Sequence, residues 1–401
     1  MLTTAFCFRA AFGCAFLIGT ATMTFAQDSP RKAPAKSAQA DALSRAASNR
    51  AELLAALKAV PKAQREGLQF LLQNMPDEDL QTLSAKFLLE NTAVAYEARN
   101  AAPWKANLPN AIFFNDVLPY SCLNEARDNS RRRLRDIALP LISDCKTPAE
   151  AAQRLNQKLF PLLKVKYSTA RNRPDQAPME TMASGLATCS GLSILLVDAC
   201  RAVGIPARVA GTPLWANGRG NHTWVEIWDG DWHFTGAAEP DGQGLDHGWF
   251  AHDASEATKD SRKHAIYASS FRKTGVSFPL VWAENIDWVP AVNVTDRYTP
   301  KSASEDSSKT RLLVKVVDAK GKRIVARLTI RDSGKSAVLF TGDSRGETAD
   351  LNDMAAFNLY RACPPREYEI TVEFAGKTTR RAFKAGMEAQ EILTVTLDKT
   401  G

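Results

Sequence analysis

Cys189 and His222 lie thirty-three residues apart in a chain of 401. Cys189 opens the run Cys-Ser-Gly-Leu-Ser-Ile-Leu-Leu-Val-Asp-Ala-Cys-Arg-Ala-Val, and His222 opens His-Thr-Trp-Val-Glu-Ile-Trp. A thiol and an imidazole held together make a nucleophile and its general base, the pairing needed to attack a carbonyl carbon.

The first run predicts a helix, because Leu192, Leu195, Leu196, Ala199 and Val203 fall on one apolar stripe, closed by Gly204 and by Pro206 just beyond. Cys189 then sits in or near the first turn. Unpaired N–H groups and the positive end of the helix dipole favour a thiolate there. On that position alone, a small buried residue or half of a disulfide fits Cys189 equally well.

The second run predicts a strand, with His222, Trp224, Glu226 and Trp228 on one face and Thr223, Val225 and Ile227 on the other. Asp229-Gly230 reads as a two-residue turn into a partner strand, Trp232-His233-Phe234-Thr235. A lone histidine on a strand is more often structural than catalytic, but the cysteine, the hairpin and the polar loop from Asn217 to Asn221, which exposes the start of the first strand, together favour His222 as the base. A third group should accept the other ring N–H. That turn places Ala237 opposite His222 and Glu239 on the same face, a diagonal of about 7–8 Å that a glutamate can span, although an ordinary exposed acid ahead of Pro240 fits Glu239 equally well. Glu226 is a weaker candidate, about 13 Å along the same strand. Asp241 stays open.

These residues resemble a family. Gly185-Leu186-Ala187-Thr188-Cys189-Ser190-Gly191, running into Arg201 to Val209, resembles the cysteine segment of the bacterial transglutaminase-like superfamily. Asn221 to Trp228, followed by Asp229-Gly230-Asp231-Trp232, resembles its histidine hairpin. The likeness is specific from Gly185 to Pro240 and implies a papain-like α+β fold: a cysteine-bearing helix on an antiparallel sheet, with Cys189 as nucleophile and His222 as base. Family members commonly carry an aspartate-proline pair four residues after the hairpin tryptophan. Here that position is Gly236, and the nearest acid-proline pair is Glu239-Pro240. The stretch from Trp232 to Pro240 is similar to a secreted branch of poorly defined activity.

The first residues predict export. Arg9, the apolar run Ala10 to Ile18 and Thr24-Phe25-Ala26 form a signal peptide over 1–26, with a periplasmic or secreted mature chain and no stable membrane span. Five cysteines remain: Cys122, Cys145, Cys189, Cys200 and Cys363. The odd number leaves at least one thiol free, which we assign to Cys189. Cys122 and Cys145 are one pairing that would close a modest loop, among connectivities that the sequence does not fix. Cys200 lies about 16 Å along the helix from Cys189 and is not its partner. The net charge of +7 falls to +6 with loss of Arg9, a mild excess suited to anionic envelope polymers. Arg131-Arg132-Arg133 is the one tight basic run and reads as a solvated helix face. No zinc-finger spacing, phosphate-binding glycine loop or basic-aromatic pattern is present, so neither nucleic acid nor a cofactor is expected. His233, His247, His252 and His264 show no compact metal-ligand spacing.

The remaining pattern divides the chain. A flexible leader is expected over 27–41, a helical region over 42–163, the catalytic core over 164–292, a linker over 293–310 and a C-terminal β-sandwich over 311–400. Leu53-Leu54 with Leu57, and Leu80, Leu83, Phe87 and Leu88, carry the helical pattern. Alternating runs such as Leu312 to Val317 and Tyr368 to Phe374 carry the sandwich. The expected activity is acyl chemistry on a peptide or protein amide, resolved by water or an amine, with hydrolysis favoured slightly. The alternative is a degenerate module of the same fold that binds envelope peptide or glycan. Trp215, Trp224 and Trp228 either wall the cleft or pack in the core.

Overall fold

The computed structural model describes residues 35–299 and 308–397, apart from 334, 336, 362, 363 and 387. The expected signal peptide, the first part of the expected leader, residues 300–307 of the expected linker and Cys363 lie outside the described residues. No helix among the described residues is long and apolar enough to cross a membrane.

The leucine spacing of the N-terminal region produces α1 (Ala35–Arg45), α2 (Arg50–Ala59), α3 (Arg65–Asn74), α4 (Asp77–Thr82), α5 (Ala85–Ala101) and α6 (Asn110–Asp116). Helix α1 begins within the stretch expected to be flexible. Leu53, Leu71, Leu80 and Leu88 are fully buried in one core with Phe113. Ser84 caps α5, its hydroxyl accepting the Phe87 N–H at 3.2 Å.

Helices α7 (Arg131–Leu141) and α8 (Pro148–Leu163) correct the expected boundary at residue 164. Leu134, Leu155 and Leu159 share one apolar cluster with Leu195, Leu196 and Val225, so these helices belong to the core that carries the site. Arg131 also differs from its expectation as a solvated residue. It is buried and donates to the carbonyls of Val117, at 2.9 Å, and Pro119, which satisfies the guanidinium.

The core continues with β1 (Lys166–Tyr167), α9 (Pro178–Ser184) and β2 (Leu186–Ala187), the two strands pairing in parallel. Then come α10 (Cys189–Ala202), β3 (Ala207–Thr212), β4 (His222–Trp228), β5 (Trp232–Thr235), α11 (Ala251–Ser255), β6 (Tyr267–Ser269) and β7 (Ala291–Asn293). The five strands form an antiparallel sheet in the order β5-β4-β3-β6-β7. Val209, Val225 and Ile227 pack one face of this sheet against α10. Trp224 lies on the other face with Trp215, Phe250 and Tyr298. Both faces of β4 are covered, so its alternation sorts two cores rather than core from solvent.

The hairpin register differs from the expected one. Val225 pairs with Thr235 and Trp228 with Trp232, so three residues, Asp229-Gly230-Asp231, form the turn. The Asp229 N–H bonds the Asp231 carbonyl at 2.8 Å, and Gly230 adopts φ +83°, which favours glycine. One extra turn residue shifts every cross-strand partner by one.

The expected linker starts too early. Tyr298 is buried, accepting a hydrogen bond from Trp224 Nε1 at 2.8 Å and donating to Glu226 Oε1 at 2.8 Å. Beyond it, β8 (Lys309–Asp318), β9 (Arg327–Asp332), β10 (Val338–Asp343), β11 (Ala355–Tyr360), β12 (Arg366–Phe374), β13 (Lys377–Ala385) and β14 (Gln390–Leu397) form two sheets, β10-β9-β12-β13 and β11-β8-β14. Pairing is antiparallel except between β8 and β14. Val316, Leu328, Ile330, Ile370 and Val395 are fully buried between the sheets.

Candidate active site

Cys189 is the first residue of α10 and is half-buried. Its first-turn N–H groups have no intrahelical acceptor. The preceding Thr188 does not cap them, because its hydroxyl accepts from Arg171 Nε at 2.8 Å. His222 is the first residue of β4 and only 1% exposed. One residue beyond each, Ser190 and Thr223 share a hydroxyl hydrogen bond of 3.1 Å that ties helix start to strand start. Cys189 Sγ, one ring nitrogen of His222 and one carboxylate oxygen of Asp350 all lie within 4.8 Å of one another.

The imidazole has a carboxylate opposite each nitrogen. Glu239 Oε2 faces Nε2 at 4.0 Å, and Asp350 Oδ2 faces Nδ1 at 3.7 Å. Aromatic rings hold the plane between them, with Trp249 and Phe250 centroids at 4.7 and 4.9 Å from the imidazole. Trp215 and Trp224 stack 5.9 Å apart, are buried in the core and also meet the imidazole, with centroids 6.1 and 5.8 Å from it; Trp249, not singled out for the site in the sequence, lies nearer.

Glu239 reaches the ring by a route the expected hairpin did not contain. Strand β5 stops at Thr235, and the Glu239 N–H bonds the Gly236 carbonyl at 3.3 Å in a turn. The Glu239 carboxylate folds back so closely that a Cβ at Gly236 would collide with Oε2. It therefore occupies the volume of a side chain at position 236. Trp249 Nε1 donates to the same oxygen at 3.0 Å. Glu226 does not serve the dyad: it is buried against Arg208, whose Nε donates at 2.7 Å, and against Tyr298. Asp241 accepts the N–H of Gln243 at 2.9 Å and caps its own turn.

Asp350 was missed because no spacing rule links it to the dyad. It lies in the connection between β10 and β11 of the C-terminal domain. Its Oδ1 accepts the Asn352 N–H at 2.9 Å, and its carbonyl accepts Arg323 Nη1 at 2.7 Å. The same connection docks on the loop before His222. Arg219 Nη1 donates to the Asn352 carbonyl at 3.1 Å, and the Leu351 N–H donates to the Tyr167 hydroxyl at 3.3 Å.

Electrostatics distinguish the three groups. Burial opposes charge on His222, but Asp350 and Cys189 outweigh it and hold the ring well above the usual histidine range. Burial likewise opposes charge on Asp350, yet His222, the Asn352 N–H and Tyr167 keep its carboxyl below the usual range. Burial pushes Glu239 up to about 8, against the pull of His222 and with Asp350 and Asp353 adding to the rise. Near neutral pH the ring thus has an ionised carboxylate on the Nδ1 side and a largely protonated one on the Nε2 side.

A second trio, Cys122, Glu125 and Asp198, is fully buried. Its donors are spent on the protein: Glu125 accepts the N–H groups of Cys122 and Leu123 at 2.6 and 2.8 Å, and the Cys122 thiol faces Asp198 at 3.4 Å. These contacts account for the arrangement of the second trio. Cys122 and Cys145, offered above as one bridge, are both free, as are Cys189 and Cys200. Beside Glu239 opens a cavity of about 280 Å³, lined among others by Phe160, Tyr167, Leu192 and Thr348.

Residues 135–254 match the family model of the transglutaminase-like superfamily. No curated protein matches the sequence. Among solved structures, the chain is similar to the red sea bream transglutaminase, with 11% identity and a TM-score of 0.27, covering 74% of this chain and 59% of that one. It is also similar to one described as "a Putative Cysteine Protease from Cytophaga hutchinsonii", with 19% identity and a TM-score of 0.26, covering 35% of this chain and 46% of that one. The chain spans about half the length of these structures.

Proposed function

We propose that this chain, whose residues 135–254 form a transglutaminase-like core, is a cysteine enzyme that opens amide bonds through a thioester. The observation that carries the reading is the placement of Cys189 Sγ at a helix start beside a ring nitrogen of the buried His222, within 4.8 Å. His222 takes the Sγ proton, and the thiolate attacks the carbonyl carbon. The N–H of Cys189 faces the developing oxyanion. Collapse expels the amine, which leaves with the proton from His222, and a thioester remains. Water, deprotonated by His222, then releases the acid and free thiol; an amine in its place yields a new amide.

Glu239 orients Nε2 in the volume normally held by a side chain at position 236. The adjacent cavity, with apolar walls and a few polar groups, suits a peptide segment. The export signal over 1–26 would put this chemistry in the periplasm or outside the cell, with a peptide or protein substrate of the cell envelope.

The test incubates the mature chain with casein and a fluorescent primary amine. Amine incorporation marks transamidation, and new peptide termini mark hydrolysis. Both must vanish in Cys189→Ser; product that persists in that variant, or no product from the wild type, defeats the enzyme reading.

A further inference from the structure

The connection between β10 and β11 reaches out of the C-terminal domain and ends in the active site. Asp350 is only 3% exposed by its side chain, faces Nδ1 of a histidine that is itself 1% exposed, and shares a 4.8 Å trio with the thiol. Its placement is built rather than incidental. An Asx turn to Asn352, a clamp from Arg323 on its carbonyl and the Tyr167 hydroxyl at Leu351 all fix it. Asn352 reaches the carbonyl of Asn221, the residue before His222, at 3.4 Å.

We propose that Asp350 is a positioning residue for the Cys189–His222 pair, and that through it the C-terminal domain sets the pH window in which the thiolate–imidazolium form exists. The inference rests on the pair being the reactive one. An anion at this place acts twice. It favours the proton on His222, so the imidazolium persists to higher pH, and it repels a second negative charge on Sγ. Loss of the anion removes both interactions at once.

The other groups around the pair have been weighed. Glu239 faces Nε2. Asp353, in the same connection as Asp350, acts on Glu239 and is itself paired with Arg345 at 3.0 Å. Arg323 binds the carbonyls of Asp350 and Asp353. Tyr167, on β1, donates to Asp350 and stays protonated because burial raises its pKa. Asp350 alone of these places an ionised oxygen near both reacting atoms.

The test is the rate of iodoacetamide alkylation at Cys189 against pH, read by mass spectrometry in the full chain. Asp350→Asn should keep the profile bell-shaped or sigmoid and shift it to lower pH by about one unit or more, the size of a lost neighbouring charge. Glu239→Gln should shift it less, and Asp350→Glu should bring it back toward wild type. If Asp350→Asn does not fold, Asn352→Ala, which loosens the docking without removing the charge, should give a smaller shift in the same direction. A profile that stays put or moves alkaline in Asp350→Asn, or in Asn352→Ala where Asp350→Asn does not fold, overturns the inference while leaving the cysteine-enzyme reading intact. A wild-type Cys189 that is unreactive at every pH overturns both.

Discussion

Glu239 folds back over Gly236 so that its carboxylate fills the volume a side chain at 236 would take, and from there Oε2 faces His222 Nε2 at 4.0 Å. The acid stands three residues beyond Gly236 in the chain, and a turn returns its carboxylate to that position. The glycine is required: any Cβ at 236 would displace the acid.

That relationship predicts an exchange. Gly236→Ala should cost about 1–3 kcal/mol by overpacking and lower turnover by dislodging Glu239. Glu239→Ala should lower turnover without the stability loss seen on crowding. The double variant Gly236→Asp with Glu239→Ala should recover part of that turnover, because the aspartate grows into the vacated space. Steady-state kinetics on the three variants decides it, and a double variant no better than Glu239→Ala refutes the exchange.

Loss of the base should be far more damaging than loss of either acid. His222→Ala removes proton transfer at both the acylation and the release steps and should reduce kcat by about 10²–10⁴-fold. Alkylation of Cys189 at neutral pH should slow in the same variant. Equal alkylation rates in the two proteins would show that the thiol draws nothing from the imidazole.

Glu226 shares a strand face with His222 yet should behave as a structural residue. It meets Arg208 at 2.6 Å, with both side chains under one-tenth exposed. Glu226→Ala leaves that guanidinium buried without its anion and should cost about 3–5 kcal/mol in a denaturant titration. Glu226→Gln, if folded, should leave the pH dependence of Cys189 alkylation unmoved. Asp241→Asn should change neither stability nor turnover.

Stability should fall as pH rises from about 4.5 to about 8. Glu239 ionises near 4.5 when unfolded and at about 8 when folded, so the folded chain binds the extra proton across this window and loses stability with each step upward. His222, raised in the folded state, acts in the same direction, its contribution fading as pH climbs through its folded value. Asp198, raised to about 7, and Asp116, raised to about 6, add to the slope. Asp350, lowered on folding, works the other way only in acid, below the ordinary carboxylate range. Urea midpoints across pH 5 to pH 8 should therefore decline, and less so in Glu239→Gln; an identical slope in that variant would remove Glu239 as a source.

The dyad was legible because each partner begins a regular element. Helix α10 follows from leucine spacing and β4 from strict alternation, and both signals are local. The turn after β4 was not, since Asp229-Gly230 fits a two-residue turn in sequence and the structure inserts Asp231 to give three. That one residue moved the register, and Glu239 arrives at His222 through a turn at Gly236 instead of across the strand. The boundary at residue 164 followed from the helical period of the region before it; the burial of α7 and α8 against α10 is a tertiary fact.

Sequence by itself determined that Cys189 begins a helix and His222 a strand, because helix starts and strand alternation are written in neighbours a few positions apart. Only the tertiary structure decided what surrounds the imidazole. Asp350 owes its place to the docking of a C-terminal connection on the loop before His222, through Arg219, Asn352 and Tyr167. Contacts between side chains so distant in the chain depend on how two packed domains meet, and no local period encodes that.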